Sequence, residues 1–215
     1  MVGPPGREER MLNGTMVQLG AIASVTQGMS RSGRGAGARA GSWEVQLVTV
    51  GDLQDDRIPV DQLQRIAIEQ RWRTEKHLLR PGDVLVTARS SAMKAALVPP
   101  SLGAAMADAS LHVVRASSPE DPDLGPYLWW YLTSTPGRAQ LEARMTGTAI
   151  PSLSVAALAE IKVPMPAVAT LYLFGQLIEE SERAYTAGVE AARLRRALFR
   201  DLSIQRQIDR AGSRE

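Results

Sequence analysis

Cysteine is absent from this sequence, and only two histidines, His77 and His112, occur among its 215 residues. Without cysteine the chain has no disulfides and no thiolate metal sites, a pattern typical of the reducing cytoplasm, where we expect this protein. Two histidines leave little for a histidine metal site or a catalytic triad. We therefore expect no bound metal and no cofactor.

Long apolar runs are missing as well. No segment reaches the ~18 apolar residues of a membrane span. The first residues, "MVGPPGREERMLNGTM", lack the apolar centre of a signal peptide. These features predict a flexible tail over residues 1–15 and no membrane partner. The net charge of +2 and the pI of about 9.2 weakly favour an anionic partner.

Residues 16–166 have the pattern of a mixed, β-rich α+β domain with short helices. Apolar runs bounded by turn residues predict strands over 42–50, 82–88, 95–98 and 110–116, and a polar stretch predicts a short helix over 61–70. Three short helices should follow. They begin at Pro126, at Pro136 after a Thr135 cap, and after a Ser154 cap. The segment "VPMP" then imposes an extended exit, because each proline also restricts the residue before it.

Residues 167–215 have the pattern of one long helix with a basic C-terminal end. Adjacent pairs of apolar residues recur every seven residues along this segment, and such a repeat predicts a coiled-coil seam. Nothing else in the chain is long enough to cover the seam, so we expect a homodimer. The predicted dimerisation residues are adjacent apolar pairs that recur every seven residues: Leu177/Ile178, Ala184/Tyr185, Ala191/Ala192 and Leu198/Phe199.

Two segments are candidates for binding nucleic acid. The glycine-rich stretch 28–43 contains Arg31, Arg34 and Arg39, which could contact phosphate or guanine in bidentate fashion. Its simpler interpretation is a flexible surface loop. The second segment follows a predicted strand and combines hydroxyls with cations suited to phosphates or base edges. It could equally be a polar hairpin. Its candidate residues are Arg89, Ser90, Ser91 and Lys94.

An enzymatic alternative rests on three residues, Asp123, Glu160 and Lys162. Their types match a magnesium-dependent nuclease of the PD-(D/E)xK kind, although so short a motif is common by chance. The motifs of an adenine methyltransferase, an Asn-Pro-Pro-aromatic site and a glycine-rich cofactor loop, are absent from the sequence. An aromatic cluster could stack bases, but its helical spacing favours a place in the core. Its members are Tyr127, Trp129, Trp130 and Tyr131.

The order of several segments resembles the DNA-specificity subunit of type I restriction–modification systems, over roughly residues 17–200. The segments are "LGAIASVTQG", "LLRPGDVLVTARSS", "PYLWWYLTSTPGRAQL" and "TGTAIPSLSVAALAEIKVPMP", followed by the long helix. The last of these is the most specific. Members of that family usually carry two recognition domains and two helices, whereas this chain resembles a half-length form.

The resemblance implies a target recognition domain over 16–166 and a dimerisation helix over 167–215. It implies a non-catalytic reader of double-stranded DNA that directs a separate adenine methyltransferase to a bipartite site, with a nuclease–translocase as a further partner. It places the base-reading contacts on the 28–43 loop and the Arg89–Lys94 loop. Thr146 and Thr148 are implied as additional contacts facing the groove. A magnesium nuclease and a purely structural coiled-coil protein remain the rival classes.

Overall fold

The computed structural model describes residues 15–29, 43–68, 75–90, 92–118 and 120–212. Within these ranges the fold is α+β, as predicted, with several small sheets and a long C-terminal helix. The strands are β1 Thr15–Gln18, β2 Ala23–Gln27, β3 Trp43–Val48, β4 Gln64–Ile68, β5 Val84–Thr87, β6 Ala95–Leu97, β7 Ala105–Ala107, β8 Leu111–Ala116 and β9 Lys162–Met165. The helices are α1 Leu19–Ile22, α2 Leu124–Thr133, α3 Thr135–Glu142, α4 Val155–Ala159 and α5 Val168–Gly212.

The strands form three sheets. A four-stranded antiparallel sheet has the order β2-β8-β5-β6, a three-stranded sheet has the order β4-β3-β7, and β1 pairs with β9. The β3–β7 pair is parallel. All four residues of β5 are buried, which explains its uninterrupted apolar sequence "VLVT". A core that includes Leu85, Ala96 and Leu111 joins the four-stranded sheet to Val48 and Ala105 of the three-stranded sheet.

Most of the predicted elements are confirmed, with one clear error. The strands expected over 42–50, 82–88, 95–98 and 110–116 are β3, β5, β6 and β8. The helix expected over 61–70 is wrong. A 3₁₀ turn at Val60–Gln62 leads instead into β4, which pairs with β3. Tertiary contacts override the local preference, because Ile66 and Ile68 of β4 pack with Met106 of β7 in a second apolar cluster.

The short helices begin close to the predicted positions. Helix α2 starts at Leu124, two residues before Pro126. Helix α3 is capped by Ser134 rather than Thr135, and the Ser134 hydroxyl accepts a hydrogen bond from Gly137 N at 3.3 Å. The Ser154 cap of α4 is confirmed, with Ala157 N donating to its hydroxyl at 3.1 Å. These caps satisfy amide groups that the first helical turn leaves unpaired.

The aromatic cluster of α2 belongs to the core, as expected. Tyr127, Trp129 and Tyr131 are 6%, 4% and 9% exposed, and Trp130 is half-buried. The indole of Trp129 donates to the Asp56 carbonyl at 3.1 Å. Stacking of bases on this cluster would therefore require unfolding of the core.

Strand β9, the exit predicted from "VPMP", is held from both sides. Strand β1 pairs with it antiparallel, from Thr15↔Met165 to Gln18↔Lys162. On the other side, Tyr131 OH and Gln140 Nε2 donate to the Lys162 carbonyl at 3.0 and 2.9 Å, and Lys162 N donates to Gln140 Oε1 at 3.1 Å. Tyr127 OH donates to the Pro164 carbonyl. These bonds and the stiff prolines fix the point at which α5 begins.

Helix α5 has 45 residues, about 68 Å at 1.5 Å per residue. The described residues up to Gly175 form one compact unit, and Gln176 onward form a second. We call the first the N-terminal unit. Residues 1–14 of the predicted tail lie outside the described ranges, and Thr15 belongs to β1. No described helix is long and apolar enough to cross a membrane.

Candidate nucleic-acid interface

One end of the four-stranded sheet brings several predicted contact residues together. Here β2 and β5 end and β8 begins, with Gln27 opposite His112 and Thr87 opposite Leu111. Just beyond β5, Ala88 N donates to the Ser110 carbonyl at 2.8 Å, which holds the chain at this edge. We call this region the sheet end.

The Arg89–Ser90 segment lies against the turn formed by residues 146–152. Arg89 forms an isolated bridge with Ser152, and Ser90 N donates to the Pro151 carbonyl at 3.2 Å. The Leu153 amide also donates to the Ala88 carbonyl at 2.9 Å. Residues 57 positions apart in the sequence, Arg89 and Thr146, therefore lie on neighbouring segments, because both segments contact Ser152.

The 146–152 turn is closed by paired backbone bonds and presents an exposed tip. Thr146 N donates to the Ser152 carbonyl at 2.9 Å, and Ser152 N donates back at 2.8 Å. Gly147 adopts a φ of 97°, a conformation that a residue with a Cβ rarely takes. Thr146 and Thr148 are exposed, and Ile150 is 63% exposed. The Thr146 hydroxyl donates to the Ser152 carbonyl at 3.4 Å. The turn therefore presents two exposed threonines and one large apolar side chain to solvent.

The glycine-rich segment is entered from the same sheet end. Gly28 N donates to the Leu111 carbonyl and Met29 N to the Ala107 carbonyl, at 2.9 and 2.8 Å. A side chain at position 28 would collide with the Asp108 backbone, so this close approach requires glycine. The predicted contacts on residues 30–42 lie outside the described residues, and so does Ser91. They are Arg31, Arg34 and Arg39.

Lys94 occupies a different position from the one its sequence context indicates. Its ammonium donates to the Leu53 and Val50 carbonyls, at 2.8 and 3.3 Å, and the side chain is half-buried. Its backbone amide donates to Thr87 Oγ1 at 3.0 Å. The ammonium thus satisfies carbonyls at the end of the 3₁₀ turn Val50–Asp52. Arg89, by contrast, is exposed. Among the described cations of this loop, Arg89 is the one directed to solvent.

His112 supports the 146–152 turn from within the core. It is 2% exposed, and its Nε2 lies 2.7 Å from the Leu153 carbonyl. Since a carbonyl only accepts, Nε2 carries the proton and Nδ1 is the buried nitrogen without a hydrogen-bond partner. Burial lowers the pKa of His112, and the hydrogen bond to Leu153 partly opposes this. In the sequence, the only indication of this supporting role is that His112 occupies an inward-facing position of a predicted strand.

The residues of the nuclease alternative lie on three different elements. Asp123 lies against α5, where a methyl group on Gly175 would collide with its carboxylate, and burial raises its pKa, with a smaller contribution from Asp121. Glu160 and Lys162 are exposed at the end of α4 and on β9. No group of three or more acidic or histidine side chains that could hold a metal occurs among the described residues. The nuclease interpretation is therefore not favoured.

Helix α5 carries an exposed apolar stripe, which contains the first member of each predicted dimerisation pair. At 100° per residue, Leu177, Ala184, Ala191 and Leu198 lie on one side of the helix. Leucines with exposed fractions of 56–61% occupy both ends of the stripe: Leu173, Leu177, Leu194, Leu198 and Leu202. The residues in the middle of the stripe have small side chains: Ala184, Ala187, Gly188 and Ala191. We call these residues the apolar stripe.

The second member of each pair lies beside the stripe. Tyr185 and Phe199 are 43% and 68% exposed, and Ala192 is also exposed. Ile178 is only 3% exposed, so it is not available to a partner. A dimer built on α5 would therefore use the first residue of each pair at its centre.

Comparison with known proteins shows the fold but no close relative. No family model matches the chain, and no curated protein matches its sequence. The HsdS subunit from Thermoanaerobacter tengcongensis superposes with a TM-score of 0.56 at 19% identity, over 87% of this chain and 46% of that chain. This superposition confirms the fold implied by the resemblance.

Two further structures match with lower scores. One belongs to a study of complex assembly and conformational transition of the type I R-M system, with a TM-score of 0.49, 17% identity, and coverage of 87% of this chain and 43% of that chain. The other is the type I restriction–modification S subunit from M. genitalium, with a TM-score of 0.45, 15% identity, and coverage of 71% and 34%. The chain spans less than half the length of each matched protein.

Proposed function

We propose that this chain is a half-length specificity subunit of a type I or type I-like restriction–modification system. It reads a sequence in double-stranded DNA and carries out no chemistry itself. The observation that carries the proposal is the convergence of Arg89 and the 146–152 turn at one sheet end, on a fold shared with an HsdS subunit. The adenine methyltransferase, and in a restricting system the nuclease–translocase, are separate subunits.

The exposed groups at the sheet end suit contacts in the major groove. An arginine can donate two parallel hydrogen bonds to O6 and N7 of guanine, or to a phosphate. Threonine hydroxyls can donate or accept at base edges, and an apolar side chain such as Ile150 can contact a thymine methyl group. Arg89 thus supplies the charge-assisted contact, and Thr146, Thr148 and Ile150 supply additional discrimination. His112 and Ser152 hold these segments in place from behind.

The apolar stripe of α5 favours an antiparallel homodimer. Small residues at the middle of the stripe allow two helices to approach closely. In an antiparallel pair, the leucines at one end of each stripe pack against the leucines at the opposite end of the partner's stripe. The charges favour the same orientation. Residues 176–192 contain four glutamates and one arginine, whereas residues 193–212 contain six arginines and two aspartates. An antiparallel pair places the acidic half of one helix beside the basic half of its partner, whereas a parallel pair would juxtapose the two basic halves.

A two-fold dimer predicts the form of the DNA site. Its symmetry requires identical half-sites in inverted orientation, in the same way that operator symmetry mirrors protein symmetry. The helix pair sets the length of the gap between them. The target adenine is flipped into the methyltransferase, so the catalytic and cofactor residues belong to that subunit.

Selection from a randomised duplex pool tests the proposal. The full chain, alone and with its methyltransferase, should enrich two inverted half-sites separated by a fixed gap. Arg89→Ala should relax the preference at one base pair of each half-site, by about 1–3 kcal/mol. Arg65→Ala is the control, because Arg65 is 72% exposed but lies on β4, away from the sheet end. If no sequence is enriched, or if Arg65→Ala and Arg89→Ala behave alike, the assignment is wrong.

A further inference from the structure

The C-terminal part of α5 carries a second charged surface, which lies beside the apolar stripe. At 100° per residue its centre is about 120° from the centre of the stripe, and Arg195 and Arg206 lie at the edge that the two surfaces share. Six arginines between residues 193 and 210 occupy roughly 160° of the helix circumference at 3.6 residues per turn. All six are exposed. We call this surface the basic arc, and its members are Arg193, Arg195, Arg196, Arg200, Arg206 and Arg210.

No acidic residue interrupts the basic arc. The two acids of this segment, Asp201 and Asp209, project from the other side of the helix, near the apolar stripe. The remaining positions within the arc include Ser203 and Gln207, which are neutral and polar, and the exposed Phe199. One arginine of the arc has an acidic partner, because Arg200 Nε lies 3.8 Å from Asp201 Oδ1 in an exposed ion pair. In the preceding, acidic half, Arg183 forms ion pairs with Glu179 and Glu180. With six arginines against two aspartates, the segment keeps an excess of positive charge on the arc.

The geometry of the arc fits a duplex backbone. From residue 193 to residue 210 the helix rises about 25 Å, which is the length of roughly seven base pairs of B-DNA. Arginine guanidinium groups bind phosphates in bidentate fashion, and no lysine occurs between residues 163 and 215. Because Arg196, Arg200 and Arg210 lie at the centre of the arc, away from the leucines of the stripe, a second copy of the chain and a polyanion can occupy α5 at the same time.

We propose that the basic arc binds the phosphate backbone of duplex DNA without sequence preference, as a surface separate from the base-reading sheet end. The identity of the polyanion as DNA rests on the proposed function, whereas the location of the surface rests on the arc alone. In the antiparallel dimer, the basic arc of one chain lies beside the first turns of its partner's α5.

The test compares two charge-matched triple variants of the full chain. Arg196→Gln, Arg200→Gln and Arg210→Gln together remove three charges from the centre of the arc, far from the stripe. Arg65→Gln, Arg80→Gln and Arg183→Gln remove three exposed charges elsewhere. Binding of a random-sequence 30-base-pair duplex is measured by fluorescence anisotropy over a series of salt concentrations. Circular dichroism and light scattering verify helix content and dimerisation.

The arc variant should reduce the magnitude of the negative slope of log K against log salt by about 0.9 for each lost contact, hence by almost 3 per chain. The control should leave the slope within one unit of wild type, and the sequence selected from the duplex pool should be unchanged. An arc variant with the wild-type slope would overturn the proposal. The proposal would also be overturned if the arc variant lost binding to vesicles containing phosphatidylserine while the salt slope of duplex binding stayed unchanged. The arc would then be a lipid-binding surface.

Failure of this inference and failure of the proposed function give different results. If the arc variant loses salt-dependent binding but the wild type enriches no sequence, the assignment of the basic arc to DNA phosphates is supported and the proposed specificity role is wrong. If the wild type enriches a sequence and the arc variant has the same salt slope of duplex binding as the wild type, the specificity role is supported and the arc assignment is wrong. If the wild-type chain binds no duplex at 50 mM salt, both are wrong.

Discussion

Replacing Lys94 with methionine should destabilise the N-terminal unit while leaving the proposed DNA-contacting surface intact. Methionine keeps most of the apolar stem and removes only the ammonium, which donates to the Leu53 and Val50 carbonyls at 2.8 and 3.3 Å. The backbone bond from Lys94 N to Thr87 Oγ1 remains. The change therefore isolates the contribution of the charged donor.

The expected magnitude follows from these two bonds. Each hydrogen bond from a charged donor contributes roughly 1.5–3 kcal/mol, which sets a ceiling of about 6 kcal/mol. Because Lys94 is only half-buried, water replaces part of the loss, and we expect a decrease of about 2–4 kcal/mol in the free energy of unfolding. Urea denaturation should show a midpoint lower by about 1–2 M.

Arg89→Met provides the matched comparison. Arg89 is exposed, so its replacement should change the free energy of unfolding by less than about 0.5 kcal/mol but should weaken DNA binding. Lys94→Met, measured under conditions where it is folded, should bind DNA as the wild type does. The reasoning is refuted if Lys94→Met has wild-type stability, or if it lowers the salt slope of DNA binding by a full unit.

Three further predictions concern other parts of the chain. Burial lowers the pKa of both His112 and His77, so the unfolded chain binds more protons below about pH 6.5 and the free energy of unfolding should fall as the pH drops from 7 to 5. His112→Asn should reduce this slope without abolishing it, and a slope equal to that of wild type would contradict the buried, neutral imidazole. Because the chain lacks cysteine, single Leu177→Cys and Leu198→Cys variants can be mixed and oxidised. An antiparallel dimer should form the mixed disulfide in preference to either self-linked product, and dominant self-linked products would indicate a parallel pair. Insertion of four residues after Gly188 lengthens the helix by about 6 Å. In the complex with the methyltransferase this should widen the gap in the modified site by one or two base pairs, and an unchanged gap would argue against the helix as a spacer.

Local sequence was sufficient where an element depends on its own residues. The four predicted strands are bounded by glycine, proline and acidic turn residues, and each contains enough apolar residues, in a run or in alternation, to specify a strand. The Ser154 cap and the proline-restricted exit were likewise predictable, because a cap and a fixed φ act within a few residues. The long helix followed from its uninterrupted periodicity.

Prediction failed where distant partners determine the conformation. Residues 64–68 form a strand because β3 offers a pairing edge and an apolar cluster to Ile66 and Ile68. The parallel strand β7, only three residues long, has no local signal, since it exists by pairing with β3. In the same way, β1 depends on β9, almost 150 residues away.

The sequence by itself determined which residue types this protein could use: arginines and hydroxyls on loops, no cysteine, and an apolar repeat on a basic helix. Only the tertiary structure decided which of them act together. Lys94 and Arg89 are five residues apart and have similar sequence surroundings, yet backbone carbonyls from another segment take up the Lys94 ammonium and leave Arg89 in solvent. Arg89 and the 146–152 turn form one surface because Arg89 forms a bridge with Ser152 at the end of that turn. Long-range backbone hydrogen bonds set this pairing, and no local pattern encodes them.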